Sequence, residues 1–297
     1  MGSYAPVPPS REKQSVRMDS DSEPEFLPPQ AGFNPPPPRP ARRQRPSWAD
    51  SPATYLLVGI NCLVFLAMVA HHVSAIGPNL DQLMFWGADN AGNVLVYGQW
   101  WRIVTAMFVH VGILHLATNM WCLWNLGLLA EPLMGSLGLL AVYILTGAAG
   151  NLLSTLVNWL WPLHEAGVAV FPVGAGASGA LFGIAGALII LLKSHLLPVP
   201  PLELHKLRRS VIYFAVINLV LGLTIGFGTH VIGSGVSIDN SAHLGGVLCG
   251  LLFAAPMVPR IGSSKTLFTR RLRYAVGLVV GFLVLFGFYL AHVPRPN

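Results

Sequence analysis

After Trp48 the chain alternates long apolar runs with shorter polar breaks. The runs cover 53–73, 103–129, 134–159, 176–194, 210–228, 241–258 and 273–292. Each approaches the ~20 residues with which an α-helix crosses ~30 Å of hydrocarbon. The fifth is the most interrupted, by Asn218 and three glycines. The pattern predicts seven transmembrane helices and an all-α polytopic membrane fold. The longer breaks, 74–102, 160–175 and 229–240, then share one side of the membrane. The first is rich in Trp, Phe and Gly ("DQLMFWGADN", "YGQWWR"), which suits an element at headgroup level. No internal repeat is visible, which weighs against an inverted-repeat transporter.

Charge orients this pattern. Only 10% of residues are charged and 53% are hydrophobic, where a soluble domain carries about a quarter charged. Sixteen of the 18 Lys and Arg fall in or at the edges of segments 1–52, 130–133, 195–209 and 259–272; Arg102 and Arg295 do not. Cationic loops stay cytoplasmic, so the N-terminus is expected inside and the C-terminus outside. Residues 1–50 hold half of the 24 prolines, including Pro35 to Pro38, and end in the basic "RPARRQR". Such a composition buries too little apolar surface to fold, so a disordered cytoplasmic tail is expected, with neither secretory-signal nor transit-peptide character. The expected organisation is this tail, a six-helix core over 51–258, and a basic linker with a seventh helix over 259–297. Cys62, Cys122 and Cys249 lie inside apolar runs and read as small hydrophobes.

Ionisable and polar groups inside spans need partners or functions. Span 2 carries "HVGILHLATNMW", which puts His115 and Asn119 on one helix face. Span 4 carries Ser178 within "GAGASGALFG", and span 6 begins "DNSAHLGGVLCG" with His243 near its start. With the N-terminus inside, Ser178, His243, His115 and Asn119 converge at one depth, a little below the outer surface. Singly, each has a plainer reading. His115 and Asn119 serve as interhelical hydrogen-bond glue, Ser178 bonds back to its own helix, and His243 is a satisfied core histidine or a haem ligand.

Together they meet the demands of amide hydrolysis: a nucleophile, a base and oxyanion donors. Ser178 offers the hydroxyl and neutral His243 the base. Asn119, His115 and the Ser178 backbone N–H offer donors. Gly176, Gly179, Gly183 and Gly186 recur at 3-4-3 spacing, and His243, Gly246 and Gly250 at 3-4 spacing. Two such faces let helix backbones approach closely. Phe182, one turn beyond Ser178, is placed to pack on the imidazole. Asp239 lies one turn before His243 and reads as the N-cap of span 6 rather than as an exposed third triad member.

This set of residues resembles the rhomboid family of intramembrane serine proteases. The resemblance rests on Trp101-Arg102, His110, His115, Asn119, Glu131, "GASG" at Gly176–Gly179 and "AHLGG…G" at Ala242–Gly250, and covers roughly residues 53–258. It implies a six-helix catalytic core with a Ser178–His243 dyad and no third carboxylate. It further implies an oxyanion hole of His115, Asn119 and the Ser178 N–H, water reaching the site from the outer face, and a mobile fifth span gating substrate access. Arg102 and Glu131 would be structural, with His110 beside them as a supporting residue. A helix after the core is similar to the family's six-plus-one arrangement.

The expected function is thus an endopeptidase that cuts transmembrane helices of membrane proteins near the outer face, through an acyl-enzyme, in a bacterial inner (plasma) membrane. No cofactor, metal ion or nucleic acid is expected; the partners are transmembrane substrates and the lipid bilayer. The alternatives are a catalytically silent relative that binds membrane clients, and a haem-binding electron carrier using His110, His115 and His243. The second leaves the serine–glycine stripe without a role.

Overall fold

Helix α1 (Pro52–Ala70) ends at a connection that holds α2 (Leu80–Phe85), β1 (Asp89–Asn90), α3 (Ala91–Leu95), α4 (Arg102–Thr105) and a 3-10 turn (Ala106–Phe108). This side is called the upper face below. Helix α5 (Ile113–Leu160) is broken by Gly135, at φ 68° and ψ 164°, into arms of 113–134 and 136–160. After β2 (Leu163–Glu165), β3 (Val168–Val170) and β4 (Val173–Gly174) come α6 (Ser178–Leu191), α7 (Pro201–Ile232), α8 (Asn240–Ala254) and α9 (Lys265–Ala291). These bounds come from a computed structural model that describes residues 51–165, 168–232 and 239–294. The tail expected over 1–50 and the stretch 233–238 of the third upper connection lie outside the described residues.

The seven expected spans correspond to α1, the two arms of α5, and α6 to α9. The second begins later than expected, at Ile113 rather than 103. Residues 106–112 are apolar because they are packed inside protein: Met107 and Val109 are buried. Hydropathy marks such a stretch as buried without saying that it is helical. Gly112, at φ 94°, turns the chain into the helix, and the Ile113 N–H donates to the Ala75 carbonyl at 2.7 Å.

Helices α6 and α8 have 14 and 15 residues, or roughly 21–23 Å at ~1.5 Å per residue, short of the ~30 Å of a bilayer core. Their upper ends are reached by non-helical backbone, which the upper connection covers. Strand β1 pairs antiparallel with β4, Asp89 opposite Gly174 and Asn90 opposite Val173. Strands β2 and β3 form a separate hairpin. Two- and three-residue strands carry no periodicity, and the hydropathy pattern does not anticipate them.

Helix α6 is apolar all round, the mark of a helix enclosed on every side. Ala180, Ile184, Ala185, Ala187 and Leu188 are fully buried. On the lower face, Glu131 fastens the start of α1. Its Oε1 accepts from the Ala53 N–H at 2.9 Å, and its Oε2 from the Thr54 N–H at 2.8 Å and the Thr54 hydroxyl at 2.7 Å. Ser136 completes the set at 2.7 Å. Ser51 makes no cap of its own, so Glu131 supplies the acceptors that orphan helix N–H groups need.

Arg102 does the same for the upper connection. Its Nη1 donates to the carbonyls of Met84 at 2.7 Å and Ala88 at 2.8 Å, and its Nε to Gln99 Oε1 at 2.6 Å. The guanidinium also lies 4.5 Å from the Trp101 ring centroid. The last helix packs Leu290 among Val94, Ile103, Ala148 and Leu152, and the Trp159 indole donates to the Pro294 carbonyl at 2.9 Å.

Candidate active site

Ser178 is the first residue of α6, and the preceding N-cap, Ala177, supplies no side-chain acceptor. Helices α2, α3, α8 and α9 are each capped by a side chain, from Asn79, Asn90, Asp239 and Ser264. As at α1, α4 and α5, no side chain caps α6, and among the described residues the Ser178 N–H makes no hydrogen bond and remains a donor at the positive end of the helix dipole. Gly176, at φ 122°, makes the bend that brings the chain into this position.

The approach of α6 to α8 is backbone on backbone. A methyl group added at Gly246 would overlap the Gly179 carbonyl, and one at Gly250 the Gly183 carbonyl. From the other side, one at Gly186 would lie 2.5 Å from the Val247 carbonyl oxygen and one at Gly179 3.4 Å from that of Ala242. Ser178 and His243 are the chain neighbours of Gly179 and Ala242, so the glycine contact brings their backbones together. His243 is buried, and its ring lies on Phe182 with centroids 4.2 Å apart and planes 10° from parallel. Among the described residues His243 Nδ1 has no partner and no hydrogen bond joins His243 to Ser178. Catalytic hydrogen bonds commonly tighten only when substrate binds.

Two details differ from the glycine stripe expected from spacing. Gly176 lies outside the helix and faces His115: a methyl group there would be 2.6 Å from His115 Cε1. A methyl group at Gly183 would run into Thr146 of α5, while the Gly183 backbone meets Gly250 of α8. The glycines therefore fit α6 against two neighbours. A third small-residue contact escaped the sequence reading. A methyl group at Gly150 of α5 would lie 2.5 Å from the Ala242 carbonyl oxygen, and one at Gly245 2.9 Å from that of Ala149. Its signal was the small-residue run "TGAAG" in span 3.

His115 reaches the site from the first turn of α5. Its Nδ1 accepts from the Val111 N–H at 3.4 Å, and its ring lies 5.3 Å from that of His110, which is fully buried. Asn119 is also buried, and its Nδ2 donates to the His115 carbonyl at 2.8 Å, which leaves the second amide hydrogen for another acceptor. Asp239 accepts from the Ala242 N–H at 2.9 Å and from the Ser154 hydroxyl. It is an N-cap, and it is partly buried rather than exposed.

Asp89, Ser154 and Thr155 carry no motif and were missed. Asp89 is buried in β1, and its carboxyl is pushed up to about 7 chiefly by burial; the Thr155 hydrogen bond opposes this and the nearby Asp239 charge adds to it. Burial also raises Asp239, against the hydrogen bonds from Ser154, Ala242 and Ser241. Burial lowers Arg102 and the Asp89 charge opposes that shift.

A family model described as Rhomboid domain matches residues 97–260. The chain is 31% identical over 242 residues to rhomboid protease GluP of Bacillus subtilis (strain 168), covering 81% of this chain and 41% of that protein. It is 30% identical over 211 residues to rhomboid protease AarA of Providencia stuartii, covering 68% and 70%. It is 30% identical over 177 residues to RHOMBOID-like protein 7 of Arabidopsis thaliana, covering 60% and 49%. The chain thus spans about half, or less, of the length of several relatives.

Proposed function

The chain belongs to the rhomboid family, and we propose that it is an intramembrane serine endopeptidase whose nucleophile is Ser178 and whose base is His243. The observation that carries this reading is the glycine contact between α6 and α8, with His243 held flat on Phe182 beside the uncapped start of α6. Close packing alone needs the glycines. It does not need a hydroxyl at the first position of α6 or an imidazole at its neighbour.

In this mechanism Ser178 Oγ attacks the scissile carbonyl carbon while His243 takes the hydroxyl proton. The charge that develops on the carbonyl oxygen is met by the Ser178 N–H, the free amide hydrogen of Asn119 and the imidazole of His115. Collapse breaks the C–N bond, His243 returns the proton to the leaving amine, and an ester on Ser178 remains. Water activated by His243 hydrolyses the ester and frees the serine. The pair works without a third carboxylate, because Asp239 is spent on the cap of α8.

The substrate is a transmembrane helix cut near the upper face, where the short α6 leaves the nucleophile below the surface. Peptide bonds in an intact helix are hidden by their own hydrogen bonds, so cleavage requires local unwinding and favours segments with Gly, Pro or polar residues. In this reading the membrane is a bacterial inner membrane, the upper face is outside and the N-terminus is cytoplasmic, an orientation that the basic segments support. Residues 51–258 form the catalytic core, followed by the linker and seventh helix of 259–297. A reconstituted Ser178→Ala protein tests the reading: it should lose cleavage of a model transmembrane substrate and keep its thermal stability. Cleavage by that variant would remove Ser178 from the mechanism.

A further inference from the structure

A second buried polar cluster lies on the upper face, and the reaction above does not use it. Asp89 Oδ2 accepts from the Thr155 hydroxyl at 3.1 Å, and Asp89 Oδ1 is buried with no partner among the described residues. Asp239 holds the Ala242 N–H and the Ser154 hydroxyl, and Asn158 Nδ2 supports Ser154 at 3.1 Å. Ser154 and Thr155 are consecutive on α5, so one helical turn carries both carboxyls. Gly174 lies against the two of them. A methyl group there would be 3.6 Å from Asp89 Cβ and 3.7 Å from Asp239 Oδ2.

Each carboxyl is tied to one half of the dyad. Asp89 sits in β1 opposite Gly174 of β4, and that strand runs on to Ser178 four residues later. Asp239 caps α8 four residues before His243. We propose that Asp89 and Asp239 are positioning residues: a carboxyl clasp, one member protonated and the other ionised, that fixes the separation of Ser178 and His243. This rests on the dyad reading given above.

The charges around the clasp favour a single negative charge. Among the described residues α5 presents the Ser154 and Thr155 hydroxyls and the Asn158 amide, and Asp239 is the N-cap of α8. Arg102 of α4 is the cation that acts on Asp89, and its guanidinium is already committed to the Met84 and Ala88 carbonyls and to Gln99. Asp89 is buried and Asp239 partly buried, and the Asp239 charge adds to the cost of ionising Asp89. Asp89, pushed up to about 7 mainly by burial, is the member that keeps the proton. As pH rises past that value the clasp gains a second charge, its members repel, and the strand leading to Ser178 loosens from the cap of α8.

The test is the pH profile of kcat and KM for the full chain in proteoliposomes with a transmembrane substrate. Wild type should lose kcat on the alkaline side of neutrality with KM unchanged. Asp89→Asn, neutral at every pH, should keep its kcat through that range. Asp239→Ala should lower kcat about tenfold or more at all pH values, as misplacement of reacting groups does. Asp239→Asn, which still caps a helix, should restore most of that loss. An Asp89→Asn profile that superimposes on wild type would overturn the clasp, as would an Asp239→Asn protein no better than Asp239→Ala. Covalent labelling of Ser178 by a fluorophosphonate in the same samples separates the two ideas. Labelling with unmoved profiles sinks the clasp alone, whereas a protein that never labels at Ser178 sinks the dyad on which the clasp rests.

Discussion

The His243 imidazole lies flat on the Phe182 ring, with centroids 4.2 Å apart and planes 10° from parallel. Phe182 stands one helical turn below Ser178 on the same helix, so one rigid segment carries both the proposed nucleophile and the plate that orients its base. Replacing Phe182 by Leu keeps an apolar side chain and removes the plate. Fluorophosphonate labelling of Ser178 should slow by about 10²-fold, the cost expected of misplacing a reacting group by ~1 Å. Phe182→Tyr should stay close to wild type. Equal labelling rates for Phe182→Leu and wild type would assign the stacking to packing alone.

The α6–α8 contact has a control elsewhere in the chain. Gly246→Ala and Gly250→Ala put a methyl group onto the carbonyls of Gly179 and Gly183, whereas Gly277 and Gly281 of α9 have nothing within 4 Å of an added methyl. The first two substitutions should each destabilise by about 1–3 kcal/mol through overpacking and lower the labelling of Ser178. Gly277→Ala should be neutral or slightly stabilising, because alanine is the better helix former. Thermal unfolding in detergent, read beside labelling, checks both statements.

Glu131 accepts four hydrogen bonds at the lower face, far along the chain from Ser178. Glu131→Gln turns one acceptor into an amide that faces donors, and a buried group left unsatisfied costs about 1–3 kcal/mol. The variant should melt lower, while the protein that remains folded labels at Ser178 at the wild-type rate. A slower rate in the folded fraction would bring Glu131 into the chemistry.

The parts of this fold that were legible from sequence are those where one residue type answers one physical demand. Gly246 and Gly250 stood out because close helix packing in lipid requires small residues at helical spacing. His243, Asn119 and Ser178 stood out because polar groups are costly in a span. The start of the second span was misread because Met107 and Val109 are apolar for the sake of burial, not of helix formation. Gly176 looked like part of the α6 stripe, but a positive φ takes it off the helix and onto His115. The Asp89–Gly174 pairing was out of reach: it joins positions 85 apart through a two-residue strand, and nothing periodic marks either end.

Ser178 acting as a nucleophile activated by His243 has a direct chemical signature. It is tested most directly by labelling the full chain in lipid nanodiscs with a fluorophosphonate and mapping the adduct by mass spectrometry. One adduct is expected, on Ser178, abolished by Ser178→Ala and slowed about 10²–10⁴-fold by His243→Ala, the range ascribed to a general base. An adduct on another residue, or an His243→Ala protein that labels at the wild-type rate, would contradict it.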